Sequence, residues 1–330
     1  MKNLLQYLLG LALLLFPNAL SLTAQETPTP TPVPGPEITH GMELTPEMTG
    51  LLNPSVLGAS GAVVSENDGQ VIENLFVTVS GQGAVGIHVL HNDVTIRNCK
   101  VRHRDQANGI RVSSEASNVL IENCVVEDDL ATGWIADVGS IGILAYGDTT
   151  IRRNYLRGYR AGMQPHNDNV TITENYFAHN FDGSRPTWQE KGSGMSWRGS
   201  SSGTGNLIVQ RNYINLTGSR SSGLTLYANN PIVNVTLRDN YIIGNGGGWG
   251  INGGESSHGA KESNKNIHIY GNRFAGDFGW PGVLGEGTNA GVNVNRPGSV
   301  WDDNRWVEGW GDHTVDLPPR CGIRQNACED

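Results

Sequence analysis

The chain has 330 residues, a formal net charge of −9 and only 17% charged residues. That balance argues against nucleic acid or an anionic membrane surface as a partner, but leaves open an acidic polysaccharide held in a local basic cleft. The 44 glycines suit loops and tight corners, not long helices.

In chain order, Leu4 to Phe16 is an apolar run behind Lys2. It has the length of a signal-peptide core and is short for a membrane anchor, the competing reading. Residues 1–24 are therefore expected to be a signal peptide ending at Ala24, with export to the cell surface or the extracellular space. No Cys follows the run, so no lipobox is present. Residues 25–40 carry TPTPTPVPGP, which favours an extended linker over a packed element. Residues 41–330 are expected to form one domain. Within it, Thr45–Leu57 caps the open end, coils run from about 60 to 310, and a tail at 311–330 folds back. Val71–Val79 reads as a coil without the Asn mark of those that follow.

That mark is a repeat. Ile151, Ile172, Val209, Leu237, Ile269 and Trp301 are each followed three residues later by Asn154, Asn175, Asn212, Asn240, Asn272 and Asn304. Two residues beyond each Asn comes Leu156, Phe177, Ile214, Ile242, Phe274 or Trp306. Two earlier copies place Cys99 and Cys124 in the Asn slot. Spacing between copies varies from 21 to 37 residues, which a helical repeat does not tolerate but a coil of short strands absorbs as corner loops. Asn accepts left-handed backbone and bonds locally, so a column of Asn suits a sharp corner. The fold class is thus all-β, a right-handed parallel β-helix with an N-terminal cap. Cys99 and Cys124 fall in stacked strands ~4.8 Å apart, within reach of a disulfide, or they continue the Asn column as free thiols. Cys321 and Cys328 can close a small loop in an exported tail. Nothing in the Cys or His spacing suggests zinc.

The stretches Val94–Val101 (VTIRNCKV), Val170–Phe177 (VTITENYF) and Val235–Ile242 (VTLRDNYI) resemble the right-handed parallel β-helix repeats of the pectin-lyase-like superfamily, over roughly residues 60 to 310. The superfamily holds lyases, hydrolases, epimerases and adhesins, so this resemblance implies the fold and leaves function to the site.

The strand before each corner follows a glycine: Gly86, Gly109, Gly142, Gly162, Gly194, Gly223, Gly250 and Gly282. Alternation then sends one set of positions inward and two rows outward. The first row is His88, Arg111, Leu144, Gln164, Ser196, Thr225, Asn252 and Leu284; the second is Leu90, Ser113, Tyr146, His166, Arg198, Tyr227, Gly254 and Glu286. Tyr146, His166, Arg198 and Tyr227 share one column across four consecutive coils. The expected catalytic set is His166 as base, Tyr146 or Tyr227 as acid or opposing base, and Arg198 as a bidentate grip on a carboxylate. Gln164, Ser196, Arg111, Asn252 and Glu286 are expected to contact substrate. The reaction these groups suit is removal of the C5 proton of a uronic acid, by a lyase or an epimerase. Gln164-Pro165-His166-Asn167 also resembles the Asp-Pro-His-Asp stretch of mannuronan C5-epimerases, matching at Pro165 and His166 only.

Two other functions compete. A non-catalytic sugar-binding or adhesin-type protein fits the Thr-Pro linker, with Trp134, Trp188, Trp249 and Trp280 as stacking residues. A glycoside hydrolase needs two facing carboxylates, which the central column lacks. Long excursions at Asp128–Ser140 and Asp182–Ser193 are expected to wall the groove. Asp128, Asp129 and Asp137 offer oxygen ligands for Ca²⁺, although a solvated acidic loop is the commoner use of such a run; no other cofactor is expected. The partner is an acidic glycan, the protein a monomer, and no membrane is involved after signal removal.

Overall fold

A computed structural model of the protein describes residues 44–104, 106–128, 140–159, 161–166, 169–178, 193–197, 205–217, 222–226, 230–245, 250–252, 263–277, 296–307 and 314–316. The expected signal peptide (residues 1–24) and linker (residues 25–40), with Cys321 and Cys328, lie outside the described residues. The first eight described coils turn through three strands each, and each of these strands pairs in parallel with its described counterparts in the neighbouring coils. The described strands make three sheets of eleven, eight and nine members. Sheet A runs from Gly58–Ser60 through Leu75–Val79, Lys100–His103 and onward to Arg305–Val307. Sheet B comprises Val63–Val64, Val85–Val89, Asn108–Val112, Ile141–Ala145, Ala161–Pro165, Ser193–Trp197, Leu224–Leu226 and Ile251–Asn252. Sheet C runs from Val71–Glu73 to Val300–Asp302. Thr314–Asp316 pairs antiparallel with Arg305–Val307 and ends the parallel stack, as a tail that folds back must.

The Asn column sits at the corner between sheets C and A, and every Asn in it is buried. Asn175 shows why. Its amide N–H groups are shared among the Thr173 carbonyl (3.0 Å), the Ile151 carbonyl one coil back (2.9 Å) and Asn212 Oδ1 one coil forward (3.0 Å). Its own Oδ1 accepts from the backbone N–H of Asn154 (2.9 Å) and from Asn154 Nδ2 (3.0 Å). The pattern repeats through Asn212, Asn240, Asn272 and Asn304. A buried corner leaves backbone groups that the sheet cannot pair, and the amides pair them.

One detail differs from the sequence expectation. The left-handed residue is not the Asn itself but the one before it: Arg153 (φ 54°), Glu174 (φ 58°), Arg211 (φ 52°) and Asp239 (φ 55°). The Asn must aim its amide into the corner, so its predecessor takes the turn. Asn does adopt left-handed backbone at the other corner, between sheets B and C, at Asn118, Asn169, Asn206, Asn234 and Asn266. The register Thr149 to Val170 therefore sets Asp148 against Asn169, and not against Asp168, which lies outside the described residues. The Val71–Val79 stretch lacks the Asn mark, as expected: Leu75 stands in the slot, and Asn74 (φ 60°) takes the left-handed position before it.

Cys99 and Cys124 are free and buried. Their thiols face the same kinds of carbonyl as the Asn amides: Arg97 (3.3 Å) and Ile72 (3.6 Å) for Cys99, Glu122 (3.2 Å) and Ile96 (3.9 Å) for Cys124. The ladder passes to the amides where Cys124 N–H donates to Asn154 Oδ1 (2.9 Å).

The glycine column marks the seam where sheets A and B close on each other. A Cβ on Gly162 would lie 2.6 Å from Phe177 Cδ1 and 2.7 Å from the Gly194 carbonyl, too close for any other residue. Thr45–Leu57, expected to cap the open end, is instead a strap down the side of the solenoid. Leu44 and Met48 pack on Tyr213, Tyr176 and Tyr241, members of an outward ladder of rings 4.7 to 5.6 Å apart that also includes Tyr155. Gly50 N–H donates to the Arg153 carbonyl (2.8 Å), and Asn53 exchanges hydrogen bonds with the Asn98 side chain (2.9 and 3.0 Å). The strap then reaches the first strands by way of a short 3-10 turn, Pro54–Val56.

Inside the seam, His103 and Tyr159 stack at 5.0 Å, although the strands they extend are two coils apart. Both are buried, and neither imidazole nitrogen nor the phenol oxygen has a hydrogen-bond partner. Burial pushes the Tyr159 phenol well up, and it pushes His103 down to about 4 against the opposing pull of Glu127. The Glu127 carboxylate, itself buried, is held below its usual range because hydrogen bonds from Arg102 and Lys100 outweigh its desolvation. Asp128 is the register partner of His103.

Two outcomes follow. Asn175→Ala strands several corner groups at once, so chemical denaturation should show a loss of about 3 kcal/mol or more; a loss below about 1 kcal/mol would mean that the ladder is not holding the corner. His103 takes up its proton near pH 6.5 when unfolded and near 4 when folded. Between those values the unfolded chain binds more protons, so stability falls as pH drops from 6.5 towards 4. The drop should be roughly 3 kcal/mol larger in wild type than in His103→Phe, and parallel profiles for the two proteins would remove His103 as its source.

Candidate functional site

The outer face of sheet B carries the residues expected to act. Register sets His88 against Arg111, Arg111 against Leu144, and Leu144 against Gln164. Pairing of Met163 with Met195, and of Ser196 with Thr225, continues the row. The second row stays in step beyond the strand ends. Ser113 N–H donates to the Val89 carbonyl (2.9 Å), Tyr146 N–H to Val112 (3.0 Å) and His166 N–H to Ala145 (2.8 Å).

Four side chains of the two rows meet. Gln164 Nε2 lies 2.6 Å from His166 Nε2, so the amide fixes that ring nitrogen in either amide orientation. The Tyr146 and His166 rings pack at 4.7 Å with a 32° tilt. The Arg111 guanidinium, from the coil before, lies over the Tyr146 ring, 5.4 Å from its centre. Arg111, Tyr146 and His166 thus form a three-layer stack from consecutive coils, with Gln164 buttressing the last layer. One coil earlier, His88 Nε2 lies 3.0 Å from Ser113 Oγ. Burial lowers the His88 pKa, and the nearby Arg111 charge lowers it further.

Exposure corrects the sequence expectation of an open face. In the first row Leu144, Gln164, Ser196 and Thr225 are all buried, between 3% and 9% exposed. Alternation decides which side a residue faces, not whether that side is wet. His88, Arg111, Tyr146 and His166 are half-buried and remain reachable. Among the described residues of the two rows, these four are the reachable polar side chains with ring or guanidinium groups. Ser196 serves as a packed member of the row and not as an open contact.

Arg198, Tyr227 and Glu286 lie outside the described residues. Asn252 pairs its backbone with Thr225, and its side chain lies outside what is described. Sequence reasoning did not single out His88 and Ser113 as a pair, although both stand in the rows that the glycine frame selects. Among the described residues no cluster of three or more His, Cys, Asp or Glu gathers to hold a metal, and Asp129 and Asp137 lie outside them. A small cleft in the A–B seam, lined by Leu156, Tyr159, Phe177, Ser193 and Asn215 among others, contains none of the stacked side chains. No described helix is long and apolar enough to cross a membrane.

The chain matches the family described as right-handed β-helix region over residues 60–274. No curated protein and no solved structure matches it. The match takes in more than half of the chain and coincides with the stack of three parallel sheets, and the protein belongs to the right-handed β-helix family.

Proposed function

We propose that the protein is a secreted, carbohydrate-active β-helix enzyme that removes the C5 proton of a uronic acid in an acidic polysaccharide, as a lyase or an epimerase. The observation that carries this reading is the stack of Arg111, Tyr146 and His166 with Gln164 against the imidazole. It sets a cation, a phenol and a buttressed imidazole side by side on one rigid sheet. Rigid placement of this kind is what proton transfer at carbon requires.

In the proposed chemistry His166 takes the C5 proton, since imidazole exchanges protons near neutral pH. Gln164 holds the ring while it does so. Arg198 grips the carboxylate of the reacting sugar and so stabilises the charge that develops on it. In a lyase the electron pair of the broken C5–H bond forms the C4–C5 double bond. The C4–O bond breaks as that double bond forms, and Tyr146 gives its proton to the departing oxygen. In an epimerase no bond at C4 breaks, and a proton returns to C5 from the opposite face, the role open to Tyr227.

The test is ultraviolet absorbance of purified protein with alginate, pectate, hyaluronan, heparin-like chains and ulvan. A lyase produces an absorbing unsaturated uronate from at least one of them. His166→Ala and Arg198→Ala should each lower turnover by about 100-fold or more, with circular dichroism unchanged. Full turnover in both variants would remove these residues from the mechanism.

A further inference from the structure

Most of the described arginines on the outer faces of the other sheets bond a carboxylate, while Arg238, on sheet C, bonds the Gln210 amide and the Tyr270 hydroxyl. Arg97 pairs with Glu73, Arg102 with Glu127 (2.7 Å), Arg152 with Glu122 (2.7 Å), and Arg153 and Arg211 with Glu174 (3.0 and 2.8 Å). Arg111 differs. It has no carboxylate partner among the described residues, its Nε is buried without a hydrogen bond, and its charge rests on the Tyr146 ring. A guanidinium held partly out of water without a counter-ion is costly, and an anion supplied from outside would offset that cost. Beside it, His88 of the preceding coil is already hydrogen-bonded to Ser113 of Arg111's own coil.

We propose that Arg111, with His88 and Ser113, forms an anion subsite that takes the carboxylate or sulfate of a second sugar on the same polymer. The proposal rests on His166 marking the reacting sugar. Arg111 and His166 are two coils apart, ~10 Å along the solenoid, so one acidic group cannot serve both positions. The glycan would then lie along the solenoid axis, its reacting sugar at His166 and an acidic neighbour towards the N-terminal coils. Selectivity would follow: a polymer with a negative charge on that neighbour is held, and one with a neutral neighbour is not. Guanidinium recognises carboxylate and sulfate alike, by paired N–H donors.

The probe is inorganic sulfate, added to the full-length protein against chloride at constant ionic strength. Binding is read from the His88 ring resonances by NMR. Saturable shifts are expected in wild type and equally in His166→Ala, which leaves the subsite intact. Arg111→Gln should weaken sulfate binding at least tenfold and move the His88 titration upward, because one of the two causes of its depression is gone. Arg111→Lys keeps the charge but loses the fork, and should fall between the two. Unsaturable shifts in wild type, or equal binding by Arg111→Gln, would overturn the subsite. These readouts do not depend on turnover. Sulfate binding with no activity on any polymer would retire the enzymatic reading and keep the subsite. Activity lost in His166→Ala but unchanged by Arg111→Gln on an acidic polymer would retire the subsite and keep the enzyme.

Discussion

The amide ladder at the corner between sheets C and A is the constraint from which the rest follows. Each Asn settles backbone groups of its own coil and of the neighbouring coils, so coils cannot slip against one another without stranding buried donors and acceptors. A fixed register means that residues at equivalent positions stack in columns. Chemistry on this protein is therefore arranged by column, with one contribution per coil. Arg111, Tyr146 and His166 meet because the same ladder that closes the core holds their three coils in step. The two cysteines show how tolerant the ladder is in one respect. A thiol facing the same carbonyls can stand in an Asn slot, but it offers no strong acceptor for the next coil, and the amide chain begins only at Asn154.

Much of this was legible from residue order alone. The Asn spacing located the corner, the glycines framed the sheet B strands, and period-two alternation assigned the rows on sheet B correctly from His88 to Gln164. Less legible were features that depend on contacts between parts distant in sequence. The left-handed turn falls on Arg153 and Glu174, residue types that do not advertise it, because the neighbouring Asn needs its own geometry for the ladder. Leu44 and Met48 carry no periodic signal, and their place on the tyrosine ladder depends on a surface assembled from four coils. Burial of Gln164 and Ser196 depends on everything that lies over that face, which no strand pattern encodes. His103 and Tyr159 looked like ordinary positions and proved to be a buried polar stack with no partners for its heteroatoms.

Charge tells a parallel story. On sheets A and C most of the described arginines bond a carboxylate, and Glu127 alone is bonded by Lys100, Arg102 and Arg157. Arg111, on sheet B, is left to an aromatic ring. The contrast within one solenoid gives the sheet B face its functional character, because the same repeat supplies carboxylates readily elsewhere. A half-buried cation, an imidazole bonded by an amide and a phenol between them stand on that face in consecutive coils.

The most direct test of the account is exchange at C5. Uronate polymers would be incubated with the protein in heavy water and their C5 positions followed by NMR, a readout common to lyase and epimerase because both break the same bond first. The account predicts solvent deuterium at C5, or in the case of a lyase loss of the C5 hydrogen, on at least one acidic polymer with wild type and on none with His166→Ala. Unchanged C5 hydrogen on a polymer that the protein demonstrably binds would contradict it, and would leave a β-helix that holds acidic glycans without transforming them.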